Sequence, residues 1–166
     1  MDELKRLSLE AVPRALDKAE RYRLLNEPNE AQSICLDVLA VDPDNQQAFT
    51  TMILALTEQF DQDPSLAHEA LATIDQLRDE YDRAYYKGLV LERRAKARLA
   101  HRTPRGGARA YEWLTEAMRS FEEADAIRPR NNDDARLRWN ACVRLMARHP
   151  ELAPMAEEPH EPLLSE

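Results

Sequence analysis

Along the chain, small and apolar residues recur at intervals of three and four, the spacing that places them on one face of a helix. Ala31, Cys35 and Val38 form one such stripe, Ala117, Phe121 and Ala124 a second, and Trp139, Cys142, Val143 and Met146 a third. β-Branched runs with period-two alternation are absent, so the pattern predicts an all-helical chain. Proline marks the joints, because inside a helix it removes a backbone donor and clashes with the preceding turn. Pro13, Pro28, Pro43, Pro64, Pro104 and Pro129 fall between periodic segments, while Pro150, Pro154, Pro159 and Pro162 crowd the last residues. Reading between them predicts helices near 12–26, 29–41, 45–60, 65–79, 82–101, 108–128 and 133–148. Asn132, Asp133 and Asp134 suit the start of the last one, where a side-chain oxygen caps free amides and acids favour the positive end of the dipole. Loops this short favour antiparallel hairpins.

Two stretches are nearly the same pattern. EAQSICLDVLAVDPDN (30–45) and EAMRSFEEADAIRPRN (116–131) align Glu30 with Glu116, Ala31 with Ala117, Cys35 with Phe121, Val38 with Ala124, Ala40 with Ala126, Pro43 with Pro129 and Asn45 with Asn131. A small residue admits a neighbouring helix, a bulky one fills the space beside it, and the proline ends the helix. This order is that of the second helix of the 34-residue tetratricopeptide repeat, and the chain resembles that family over about residues 12–130. Ala48, Phe49, Met52, Ile53 and Leu56 match the first-helix pattern in part, and Ala84, Gly88 and Leu91 open the third unit. The offset of 86 residues exceeds two units, and FDQDPSL (60–66) and HRTPRGGAR (101–109) are the two places that lengthen. In the middle unit, Ala67, Leu71 and Ile74 compete with Ala70, Ile74 and Leu77, and neither set carries the closing proline. The first unit offers Ala15, Lys18, Ala19 and Tyr22 where the family has an aromatic and a glycine.

The resemblance implies a right-handed α-solenoid of about three hairpins, with 133–148 as capping helix. The domain then spans 12–148, after an N-terminal extension (1–11) and before an acidic, proline-rich tail (149–166) expected to be unfolded. A plain bundle of helical hairpins satisfies the same periodicity.

Composition agrees with helix: three glycines in 166 residues and few aromatics. The opening MDELKRLSLE lacks the basic-then-apolar order of a signal peptide, and no apolar run is long enough to span a membrane, so the expectation is a cytoplasmic protein. The net charge of −8 hides a split. Residues 1–82 carry 18 acids and 7 bases, 83–148 carry 8 and 16, and 149–166 carry 5 acids and no Lys or Arg. Opposite potentials at the two ends bear on partners rather than on fold.

The chemistry-bearing residues are scattered. His68, His101, His149 and His160 do not cluster, and Glu122 and Glu123, like Asp133 and Asp134, are adjacent and so face different ways. Cys35 and Cys142 fall on apolar stripes, with no Cys-x-x-Cys spacing to suggest zinc or a redox pair. Neither an enzyme nor a cofactor is expected. The basic stretch ERRAKARLAHR (92–102) sets Arg94, Arg98 and Arg102 on one helical stripe, with Glu92 and Lys96 as an i,i+4 pair. Overall acidity and the lack of interleaved aromatics argue against nucleic acid, and TPRGGAR lacks the order of a phosphate-binding loop.

What remains is a surface for another protein. In the family that the chain resembles, first helices line a concave groove. Its inward positions carry over to Leu16, Glu20 and Arg23, then Thr50, Leu54 and Thr57, then Tyr85, Leu89 and Arg93. The Lys and Asn of the family's carboxylate clamp are replaced by Leu16, Glu20 and Thr51, which argues against an acidic chaperone tail as ligand. Tyr85 fits core packing as well as ligand contact, and Trp113 and Trp139 fit helix packing. The expected function is non-catalytic binding of a partner's peptide or helix. The alternatives are a homodimeric scaffold, using charge or the wide apolar face of the last helix, and a secretion-type chaperone.

Overall fold

The computed structural model describes residues 2–156. Among them are seven α-helices and no strand: α1 (Val12–Leu24), α2 (Pro28–Val41), α3 (Gln46–Thr57), α4 (Leu66–Ile74), α5 (Glu80–Ala100), α6 (Gly106–Ala126) and α7 (Asp134–Arg148). A 3₁₀ turn, Leu9–Ala11, leads into the first. No helix among the described residues is long and apolar enough to cross a membrane.

Local chemistry accounts for the joints. After α1, Asn26 takes a left-handed conformation (φ 60°), and the amides of Glu27 and Asn26 close back on the carbonyls of Tyr22 and Arg23 at 2.8 and 2.9 Å. That is the Schellman ending, here with asparagine in the place glycine usually holds. Asn45 and Asp79 start α3 and α5 by accepting from the amides of Ala48 (2.8 Å) and Asp82 (3.0 Å). Asn132, rather than either aspartate, does this before α7, accepting from Asp134 at 3.0 Å.

The fourth helix is shorter than its sequence pattern predicts. Helix geometry stops at Ile74, and Leu77 turns into the core as part of a loop. Side chains then satisfy the backbone that helix bonds would have served. Gln46 donates to the Gln76 carbonyl and accepts from the Arg78 amide, and Arg83 donates to the carbonyls of Leu77 and Arg78. Of the two sets that compete here, Ala70, Ile74 and Leu77 are all buried, whereas in the other Ala67 and Ile74 are buried and Leu71 only partly so.

Each helix packs on the next in the chain, and α1 also packs on α3, α3 on α5 and α5 on α7. One apolar cluster joins α1 to α5 around Cys35, Ile53, Leu56 and Phe60, and another joins α5, α6 and α7 around Leu91, Leu114, Phe121 and Cys142. The two look-alike stretches have the same burial at matched positions: Ala31 and Ala117, Cys35 and Phe121, and Val38 and Ala124 are all fully buried, and Ala40 and Ala126 are exposed. They part at the end, where Asn45 caps α3 with negative φ and Asn131 is left-handed at φ 64°.

Residues 149–156 differ from the expectation of an unfolded tail. Leu152 is buried in the α5–α7 cluster, and the Glu151 carbonyl lies so close to the start of α6 that a methyl group on Gly107 would meet it at 2.3 Å. The α7 helix returns the chain to the α5–α6 turn, and a leucine there has an apolar seat to fill. Residues 157–166, the rest of the expected tail with His160, Leu163 and Leu164, lie outside the described residues.

Candidate functional site

The nine residues expected to line a groove divide in two. Leu16, Thr57 and Leu89 are buried: Leu16 packs with Val38 and Ala48, Leu89 belongs to the α5–α7 core, and the Thr57 hydroxyl donates to the Leu54 carbonyl at 2.7 Å. Leu16 and Leu89 are interior, enclosed by neighbouring helices, while Thr57, though nearly covered, still borders the depression beside Arg93. Glu20, Arg23, Thr50, Leu54, Tyr85 and Arg93 keep partial exposure. Leu54 and Tyr85 nonetheless pack against the α5–α7 cluster. The Tyr85 ring stacks on Tyr81 at 5.8 Å, meets Tyr86 edge-on at 5.2 Å and tilts against Phe121 at 6.0 Å, so most of its surface serves packing.

What the odd-numbered helices share is a ladder of charge. Arg23 on α1 donates to Glu58, just past α3, at 2.8 Å from Nε, and to Glu20 on its own helix at 3.0 Å. The Thr51 hydroxyl donates to the same Glu20 at 3.1 Å. On α5, the Arg93 guanidinium donates to Thr57 Oγ1 at 2.5 Å and lies 4.0 Å from Glu58. One residue before it, Glu92 is 0% exposed, held by Lys96 at 2.7 Å and by both Arg138 Nε (3.0 Å) and Nη2 from α7. Four helices that are not neighbours in sequence are thus stitched by ion pairs.

The two arginines at the centre of the ladder differ. Burial works against the charge on Arg23, but hydrogen bonding and attraction from Glu58 and Glu20 outweigh it, and its pKa lies above the ordinary value. At Arg93 burial wins over the more distant Glu58, and the pKa lies below it. Arg93 makes a single hydrogen bond among the described residues and borders an open depression of about 290 Å³ lined also by Thr57, Glu58, Asp61 and Lys96. The Arg93 guanidinium thus keeps donors that no acceptor among the described residues takes.

Sequence reasoning missed Glu58, Glu92 and Arg138. The basic stretch 92–102 reads as a solvated face, and the Glu92–Lys96 pair does form, yet Glu92 points inward. The presence of a lone acid in a run of bases was the available signal.

His68 and His101 are exposed, His101 meeting the Asp61 carbonyl at 3.1 Å, and His149 pairs with Glu151 at 3.0 Å. No group of three or more His, Cys, Asp or Glu among the described residues is placed to hold a metal ion. Burial, with nearby Glu20 for Cys35 and Glu92 for Cys142, pushes both thiols up to about 12. Both cysteines are therefore expected to resist a maleimide at pH 8 in the folded protein and to react once urea unfolds it, as mass spectrometry will count. The same shift carries stability that is fully present below the unfolded thiol pKa, near 9, and is lost as pH rises from about 9 to about 12.

Comparison with protein-family models, curated proteins and solved structures finds no match to the chain.

Proposed function

We propose that the chain is a non-catalytic protein-interaction module, a right-handed α-solenoid of three tetratricopeptide-like hairpins capped by α7. It holds a peptide or helix of a partner protein on the face that α1, α3 and α5 share. The observation that carries this reading is the packing of each odd-numbered helix on the next odd-numbered one as well as on its even-numbered neighbours. In a bundle every helix would instead converge on one central core; stacked hairpins leave one preformed surface made of alternate helices. A rigid surface of that kind leaves most of the ordering cost to the ligand. Arg93, Thr50, Glu20 and the exposed edges of Leu54 and Tyr85 supply its contacts.

Arg93 gives the cleaner test, because Leu54 and Tyr85 also serve the core. In affinity purification with quantitative mass spectrometry, Arg93→Gln, which adds no acid beside Glu58, is expected to lower capture of a specific partner at least tenfold, about 1.4 kcal/mol of binding, with the melting temperature within a few degrees of the parent. Unchanged capture removes this face from the reading.

A second reading, self-association, has an observation of its own: Leu137 and Val143 on α7 are 63% and 40% exposed. A dimer through exposed Leu137 persists at high salt in light scattering and is abolished by Leu137→Glu, whereas one driven by the opposite charges of the two halves loosens with salt.

A further inference from the structure

The last helix is held differently from the others. α3, α5 and α6 bury seven or eight residues each, whereas the residues that α7 buries are Ala135 and Cys142, two small side chains with little apolar surface to withdraw from water. α1, at the other end of the chain, buries the larger Val12 and Leu16 besides Ala19. Trp139, Leu145 and Met146 pack on the α5–α7 cluster only in part, and an open depression of about 330 Å³, lined by Phe121 and Ala126 of α6 and by Ala135 and Trp139 of α7, separates the two helices there. The remaining contacts of α7 are polar. Arg136 Nε donates to Asp125 at 2.7 Å and Trp139 Nε1 to Glu122 at 3.2 Å, both at the surface, where such bonds contribute little. The bridge from Arg138 to Glu92 is desolvated, but both groups regain water if the helix leaves, so its net hold is small. The connector 127–133 contains no buried residue and turns through the left-handed Asn131, while beyond the helix the chain is fastened again by buried Leu152.

We propose that α7, together with the strap through Leu152, is a hinged cap that opens as one unit about residues 127–133 while α1–α6 stay folded. Leu152 is its latch. Stability is distributed along a chain in proportion to burial, and a terminal element with a small share of it opens without the rest. Opening bares Glu92, Phe121 and Cys142, the carboxylate and apolar groups that α7 covers, and closing withholds that surface from any contact outside the chain. A ligand shifts this balance only by its differential affinity for the two forms. The cap is a separate matter from the face bearing Arg93, and the inference stands or falls apart from the proposed function.

The test uses the full chain and its two thiols, Cys142 under α7 and Cys35 in the cluster that joins α1 to α5. Slow modification by a thiol reagent, followed over hours in urea below the unfolding transition and corrected for the rates in the unfolded chain, reports the opening that reaches each. Cys142 is expected to react faster than Cys35 by about tenfold or more. Its rate should also rise less steeply with urea, because one helix exposes less surface than the whole chain. Leu152→Ala releases the latch and speeds Cys142, whereas Ile53→Val, which loosens only the α1–α5 cluster, speeds Cys35 and leaves Cys142 unchanged. Equal corrected rates with equal slopes, or an equal response of both thiols to Ile53→Val, overturns the proposal by assigning the exposure to unfolding of the whole chain. Cys35 reacting first, or Cys142 staying unmodified up to the transition, overturns it as well.

Discussion

Replacing Arg138 with alanine is expected to destabilise the protein by about 3–5 kcal/mol, the cost typical of leaving a buried charge without its partner. Glu92 has no exposed surface, and Arg138 supplies two of its three contacts, from a different helix. Lys96 alone, with nearly half its own side chain in water, compensates weakly. The opposite substitution is milder, because a lone Arg138 is 30% exposed and turns to solvent. Converting both residues to leucine should restore much of the loss, since a buried ion pair exchanged for apolar volume is often neutral in net effect. Urea unfolding of the two single variants and the double one measures this as a coupling energy. A loss for Arg138→Ala below about 1 kcal/mol, the range of exposed pairs, sinks the claim that this bridge is desolvated.

The bridge also marks where the sequence stopped being readable. Helices, joints and the paired stretches at 30–45 and 116–131 rest on short-range order, spacing of three or four and a proline, and the structure bears out the all-helical arrangement they predict. Which face of a helix is interior depends on every neighbour at once. Leu16 and Leu89 sit at spacings that suit a groove, yet each meets an adjacent helix on two sides and is enclosed. Glu92 was hidden by its context of arginines, and its partner lies 46 residues away, a distance no local pattern spans. Leu152 was hidden by prolines and acids that speak for an unfolded tail, because a single leucine needs only one seat, and the small residue that leaves room for its chain, Gly107, lies far upstream.

Phe121→Ala is expected to cost about 3–5 kcal/mol in chemical denaturation, the usual range for emptying a fully buried aromatic site. The ring is the centre of the α5–α6 contact, and its room is made by Gly88: a methyl group there would stand 2.6 Å from Cε1. Gly88→Ala gains about 1 kcal/mol of helix propensity but forces a ring with no free space around it, an overpacking cost of about 1–3 kcal/mol. Residues that share one space should not add, so Gly88→Leu combined with Phe121→Ala is expected to recover about 0.5–3 kcal/mol relative to the sum of the single losses. Strict additivity would mean that the two do not share the space. Cys35, the residue aligned with Phe121, is a smaller thiol and is buried in one cluster with Ala19. The double variant tests whether the α5–α6 contact is set by the summed volume of the two side chains rather than by residue identity.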